Sequence, residues 1–144
     1  MFKLKSFPFF RQSYPMDCGP TCLRMIASFY GISFDPEGMK HMSRISRRGS
    51  SMLDLMNAAE KLGLRSAGME LGIAQLEAAV LPAILHWDLQ HFVVLFKVKN
   101  DIYYIADPAM GILKFCRPAF LSHWQNPGTG DAHRGIILTF SAEP

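Results

Sequence analysis

Apolar residues recur along this chain at two different periods, and the change from one to the other falls near residue 64. In the segment TCLRMIASFYG, Cys22, Leu23, Met25, Ile26, Phe29 and Tyr30 lie at helical spacing, and Gly31 follows as the residue that ends the helix. Asp35-Pro36 offers a cap and a first-turn proline for a second short helix running to about Ile45. SRRGSS then reads as a loop. Ser51 and Asp54 have the spacing of a capping box and predict a third helix, MLDLMNAAEKLG, closed by Gly63.

Beyond that point the period shortens. Leu64–Glu70 predicts a strand and Ile73–Val80 a short helix. LPAILHW, FVVLFKVK and IYYIAD follow with turn signals between them, at Asp88-Leu89-Gln90 and at Asn100-Asp101, which predicts an antiparallel meander. Gly111 precedes a further strand, ILKFC, and Pro118 starts a helical turn, AFLSHW. RGIILTF closes the chain as a strongly apolar last strand. A helical N-terminal half followed by a C-terminal antiparallel sheet is an α+β arrangement. No internal repeat is visible.

The totals add limits. At 144 residues the chain, 1–144, is one domain by length, large enough to bury a core. A formal net charge of +3 gives no argument for nucleic acid. The basic runs Lys3–Lys5 and Arg44–Arg48 lack the interleaved aromatics of a single-strand platform. Three cysteines, with no CxxC pair, argue against a disulfide framework and a structural zinc site, and a reducing compartment fits best. Pro8 and Arg11 break the N-terminus as a signal peptide. Glu77, Pro82 and Asp88 interrupt the most apolar stretches before they reach membrane-spanning length, so the expectation is a soluble chain.

The candidate chemistry sits ahead of the first helix, in QSYPMDCGPTC. Cys18 precedes Gly19-Pro20, and proline is well placed in a first helical turn. That puts Cys18 at or just before a helix N-terminus, where the dipole and free N–H groups favour negative charge on a thiol. Taken alone, such a cysteine is more often a small buried hydrophobe than a nucleophile. Asp17, Gly19 and Pro20 are poor core companions, however, and glycine lets a substrate backbone approach closely. Gln12, six residues upstream, offers an amide donor for an oxyanion. Cys22 is expected in the core.

His91 opens the strand HFVVLFKV, and Asp107 ends IYYIAD just before Pro108. A hairpin turning near Asn100-Asp101 returns Asp107 to roughly the level of His91. Cys18, His91 and Asp107 then supply nucleophile, base and orienting carboxylate. Singly, His91 reads as a satisfied core histidine and Asp107 as a turn-forming Asp-Pro. His86 is placed to pair across the sheet, and His41, His123 and His133 fall on helix or loop surfaces. No pair of these residues has metal-ligand spacing.

With these residues in place, the sequence resembles the double-glycine cysteine peptidase domain found at the N-terminus of bacteriocin-processing ABC transporters. The family pattern is a glutamine, four intervening residues, an acidic residue, Cys-Gly, and a second cysteine four positions after the first. Here it is Gln12, Asp17, Cys18, Gly19 and Cys22. The later blocks match His91–Leu95 and Asp107-Pro108, and the likeness extends over about residues 7 to 140. Thr21 stands where many members carry alanine.

The resemblance implies a papain-like fold, with Cys18, His91 and Asp107 catalytic and Gln12 in the oxyanion hole. It implies cleavage of a precursor's leader peptide after Gly-Gly, on the cytoplasmic side of the bacterial inner membrane, by a domain attached to transmembrane and nucleotide-binding domains. No cofactor is expected for the peptidase domain itself; ATP would be used by a separate domain. The leader would lie as an amphipathic helix in an apolar groove, for which Met39, Met42, Met52 and Met56 are candidates. Two alternatives remain open. One is a non-catalytic substrate-binding domain of a type I secretion transporter, though such domains lack the catalytic cysteine and the presence of Cys18 favours an enzyme; the other is a papain-like acyltransferase or amidase using the same triad.

Overall fold

The computed structural model describes residues 6–33, 51–125 and 134–142. Asp35–Ile45, Met39, Met42, His41 and His133 fall outside these residues. Helix α1 (Cys18–Phe29) follows a single 3-10 turn, Pro15–Asp17, and ends at Gly31, whose φ of +77° is one that L side chains rarely adopt. Helix α2 (Met52–Lys61) begins with both bonds of the capping box. Ser51 Oγ accepts from the Asp54 N–H at 3.1 Å, and the Asp54 carboxylate accepts from the Ser51 N–H at 2.9 Å.

Six strands follow: β1 (Leu64–Gly72), β2 (Ala83–Trp87), β3 (His91–Lys99), β4 (Ile102–Asp107), β5 (Gly111–Cys116) and β6 (Arg134–Ala142). Two short helices interrupt them, α3 (Ile73–Glu77) between β1 and β2 and α4 (Arg117–Trp124) between β5 and β6. The predicted helix at Ile73–Val80 is thus one turn shorter than its apolar pattern suggested. After Glu77 the chain passes through a turn and bends before it enters β2 at Ala83.

The sheet order is β1-β6-β2-β3-β4-β5, with every neighbouring pair antiparallel. The meander from β2 to β5 is as the sequence predicts. The last strand inserts between β1 and β2, where Ile137 and Leu138 pair with Leu85 and Ile84. Both faces of the central strands are covered, so their side chains alternate between two apolar clusters. Phe92, Val94, Ile84 and Leu138 pack with Leu23, Met25 and Ile26 of α1 and Leu55 of α2. Val93, Leu95, Leu85 and Ile137 pack on the other side with Leu76 of α3 and Phe120 and Trp124 of α4. Double coverage explains why FVVL reads as a continuous apolar run. Among the described residues, no helix is long and apolar enough to cross a membrane.

Candidate active site

The site assembles where the head of α1 meets the end of β3. Cys18 is the first residue of α1, and one turn later the Cys22 thiol donates to the Phe92 carbonyl at 3.3 Å. That bond ties the helix to the start of β3 and so sets Cys18 beside His91. Cys22 itself is fully buried. Burial pushes its thiol well above the ordinary range, and the nearby Cys18 and Asp107 push in the same direction. Cys22 is therefore a structural thiol.

Strand register decides where Asp107 points. Near the hairpin, Lys99 pairs with Ile102 and Val98 with Tyr103, but beyond Phe96 the pairing slips by one residue, to Leu95–Ile105 and Val94–Ala106. Were the ladder unbroken, Asp107 would face Val94 and lie on the opposite side of the sheet from His91. The extra residue in β3 moves it across from Val93, onto His91's side and two residues away along the strand. Such a diagonal is within reach of an imidazole.

His91 Nε2 and Asp107 Oδ1 are 2.8 Å apart. The same carboxylate oxygen accepts the N–H groups of Ala109 at 2.9 Å and Met110 at 3.4 Å. Burial alone would raise the Asp107 pKa, but the bonds from His91 and from these backbone groups outweigh it and hold the carboxyl below its ordinary value. For His91, burial would lower the pKa. The bonds to Asp107 and Cys18, with the charges on both, overcome that and lift it from 6.5 to about 9. With Nε2 committed to Asp107, the bond to Cys18 falls to Nδ1. Cys18 is 8% exposed and the His91 and Asp107 side chains 23% and 6%, so the imidazole is the open member of a largely dry row.

Gln12 departs from its expected posture. Its backbone N–H donates to the Pro108 carbonyl at 2.9 Å, which moors the segment leading into the 3-10 turn to the Asp107 turn. Its side-chain Nε2, however, donates to the carbonyls of Tyr14 at 3.0 Å and Pro15 at 3.3 Å. Those carbonyls are turned toward it by the 3-10 turn that leads into Cys18. Among the described residues, Gln12 Oε1 is a buried oxygen with no partner.

Two histidines that the sequence pattern left on the margins also lie close to the site's supports. His86 pairs with Phe92 across β2 and β3, as predicted. His123 of α4 is more than a surface residue: its ring stacks on Trp87 at 5.0 Å and bonds to Asp88 at 2.8 Å. Nothing local in the sequence marks that contact, which spans 35 residues. No group of three or more His, Cys, Asp or Glu among the described residues is arranged to hold a metal ion.

A helix headed by a thiol, laid on an antiparallel sheet whose strand ends present an imidazole and a carboxylate, is the papain-like fold. The chain belongs to the Peptidase C39 family, whose model matches residues 6–128. It is 36% identical over 104 residues to the probable microcin-H47 secretion/processing ATP-binding protein of Escherichia coli, covering 72% of this chain and 15% of that protein. It is likewise 36% identical over 105 residues to the colicin V secretion/processing ATP-binding protein of the same organism, covering 73% of this chain and 15% of the relative. The chain thus corresponds to a small part of these relatives' length. Among solved structures it resembles a double glycine motif protease from an AMS/PCAT transporter in complex with the leader peptide. There the TM-score is 0.85 at 30% identity, over 94% of this chain and 91% of that one.

Proposed function

We propose that this chain is a cysteine endopeptidase that cuts leader peptides after Gly-Gly during maturation and export of bacteriocin-like peptides. The observation that carries the reading is the imidazole of His91, bonded on one side to Cys18 and on the other to a buried, multiply bonded carboxylate, Asp107. In the reaction, the Cys18 proton is already held on His91 as the imidazolium, and Cys18 Sγ attacks the carbonyl of the second glycine as the thiolate. His91 then protonates the leaving amine, and water releases the leader from the acyl-enzyme with the same residue as base. Asp107 holds the ring so that Nδ1 faces the sulfur.

The tetrahedral oxyanion is stabilised by the Cys18 backbone N–H and by Gln12. For that role the Gln12 amide turns one N–H from the longer of its two bonds, to Pro15, toward the oxyanion. The likeness to the double glycine motif protease supports the substrate class. Glycine lacks the Cβ that a narrow cleft beside the scissile carbonyl would reject. The domain works without a cofactor of its own. Its natural setting is a longer transporter with transmembrane and ATP-binding parts, on the cytoplasmic side of the bacterial inner membrane.

The test is a peptide with an amphipathic leader ending in Gly-Gly, joined to a short cargo, with products read by mass spectrometry. A single cut after the second glycine is expected, with hydrolysis persisting when a competing amine is added. Alanine at either glycine should chiefly lower kcat. Efficient cutting of an Ala-Ala peptide, or dominant transfer to the amine, would overturn the assignment.

A further inference from the structure

The catalytic imidazole hangs from a turn that the chain's own residues do not favour. Trp87 pairs with His91, and between them the Gln90 N–H donates to the Trp87 carbonyl at 3.3 Å around Asp88 and Leu89. Both central residues are left-handed, with φ of +50° and +70°. Such a turn ordinarily carries Asn-Gly or Asp-Gly. Its counterpart between β3 and β4 comes close to that rule, with Asn100 and Asp101 at +53° and +62°. Leu89 has no side-chain polar group to support a left-handed backbone, and it stands 60% exposed rather than held by a core.

The turn is held from outside by two histidines. His123, near the end of α4, accepts the Asp88 N–H on its carbonyl at 2.8 Å and meets the Asp88 carboxylate with Nδ1 at 2.8 Å. Its ring lies flat on Trp87, with only 8° between the planes. His86 bonds to the backbone of Leu89 on the other side. Helix α4 is itself anchored by buried Phe120 and Trp124, so His123 is presented to the turn by a fixed support. The His123–Asp88 pair is solvent-exposed, with side chains 37% and 54% accessible, so its contribution to overall stability is small. Its geometric effect is local, three residues from His91.

We propose that His123 is a positioning residue for peptide cleavage: by clamping Asp88 it holds the Asp88-Leu89 turn in its left-handed form and so aims the His91 imidazole between Cys18 and Asp107. The proposal rests on the cysteine peptidase reading given above. It explains why an unfavourable Asp-Leu pair is tolerated immediately before the catalytic strand, since the clamp supplies from α4 what the turn residues lack.

The test compares His123→Phe, which keeps the stacking on Trp87 and removes the Nδ1 donor, with His123→Asn, whose amide replaces that donor. Each is assayed on the Gly-Gly leader peptide at 25 °C, after circular dichroism shows the variant folded. His123→Phe should lower kcat at least about tenfold with KM nearly unchanged, and should move the alkaline limb of the pH profile. His123→Asn should retain most of the rate. Combining His123→Phe with Asp88→Asn and Leu89→Gly, which makes the turn favourable by itself, should restore kcat. Wild-type kcat in folded His123→Phe, or a loss that the Asn-Gly turn does not repair, overturns the proposal. A wild-type protein that does not cut the peptide would instead overturn the peptidase reading. In that case the proposal is judged by the His91 imidazole titration followed by NMR, which His123→Phe should displace.

Discussion

At the scale of single residues, the two thiols at the head of α1 have opposite fates despite standing one turn apart. Cys22 is sealed, bonded to Phe92 and pushed up in pKa, whereas Cys18 meets an imidazole. Iodoacetamide at neutral pH, followed by peptide mapping, should therefore modify Cys18 and spare Cys22; equal labelling of the two would contradict this. His91 keeps its proton up to about pH 9. Its raised pKa means that the paired imidazolium contributes stability fully below the ordinary histidine value of 6.5, and that this is lost as pH rises through about 9. The alkaline limb of kcat/KM should fall in the same region. Asp107→Asn removes a charge that raises the His91 pKa, so its alkaline limb should move to lower pH; an unmoved limb would deny that coupling. His91→Ala should cost about a hundredfold to ten-thousandfold in kcat, and Asp107→Ala less. Gln12→Ala should lower kcat by about a hundredfold or more if its amide reaches the oxyanion, and a change confined to KM would remove it from that role.

At the scale of elements, the local signals were legible and the long-range ones were not. Gly31 and Gly63 marked helix ends because each has a positive φ, and Ser51 with Asp54 marked a helix start because both capping bonds are made across three residues. The strands announced themselves by apolar runs and turn residues. The slip at Phe96 left no such mark, since an extra residue in a strand is set by pairing with β4 and not by composition. That slip is what brings Asp107 to the His91 side, so the hairpin's return of Asp107 to the level of His91 was legible while the reason for their contact stayed hidden. The insertion of β6 between β1 and β2 was equally out of reach. Its packing makes a sharp demand at Gly135, where a Cβ would come within 2.3 Å of the Trp124 ring. Trp124 is buried and its Nε1 donates to the Ile136 carbonyl at 3.2 Å, so the ring cannot easily retreat. Gly135→Ala should destabilise the fold by about 3 kcal/mol, at the upper end for overpacking. Urea unfolding measures it, and a loss below about 0.5 kcal/mol would show that α4 is freer to shift than its packing implies.

At the scale of the whole molecule, the sheet acts as a frame that collects residues distant in sequence at one edge. The cysteine arrives on a helix, the imidazole and carboxylate on neighbouring strands, and the Gln12 segment is moored to the turn after Asp107 by its backbone bond to Pro108. The order of these parts along the chain was readable because each has its own local signature. Gln12 was the exception, because its amide bonds depend on a turn whose carbonyls no pattern reveals. In the function proposed above, this frame makes Cys18 the nucleophile of a peptide-bond hydrolysis. The most direct measurement is mass spectrometry of a leader–Gly-Gly–cargo peptide incubated side by side with the wild-type protein and folded Cys18→Ala. A leader ending in a free glycine carboxylate and a cargo with a free amine are expected from the wild type alone. Equal cleavage by Cys18→Ala, or an intact peptide after incubation with the folded wild type, would contradict it.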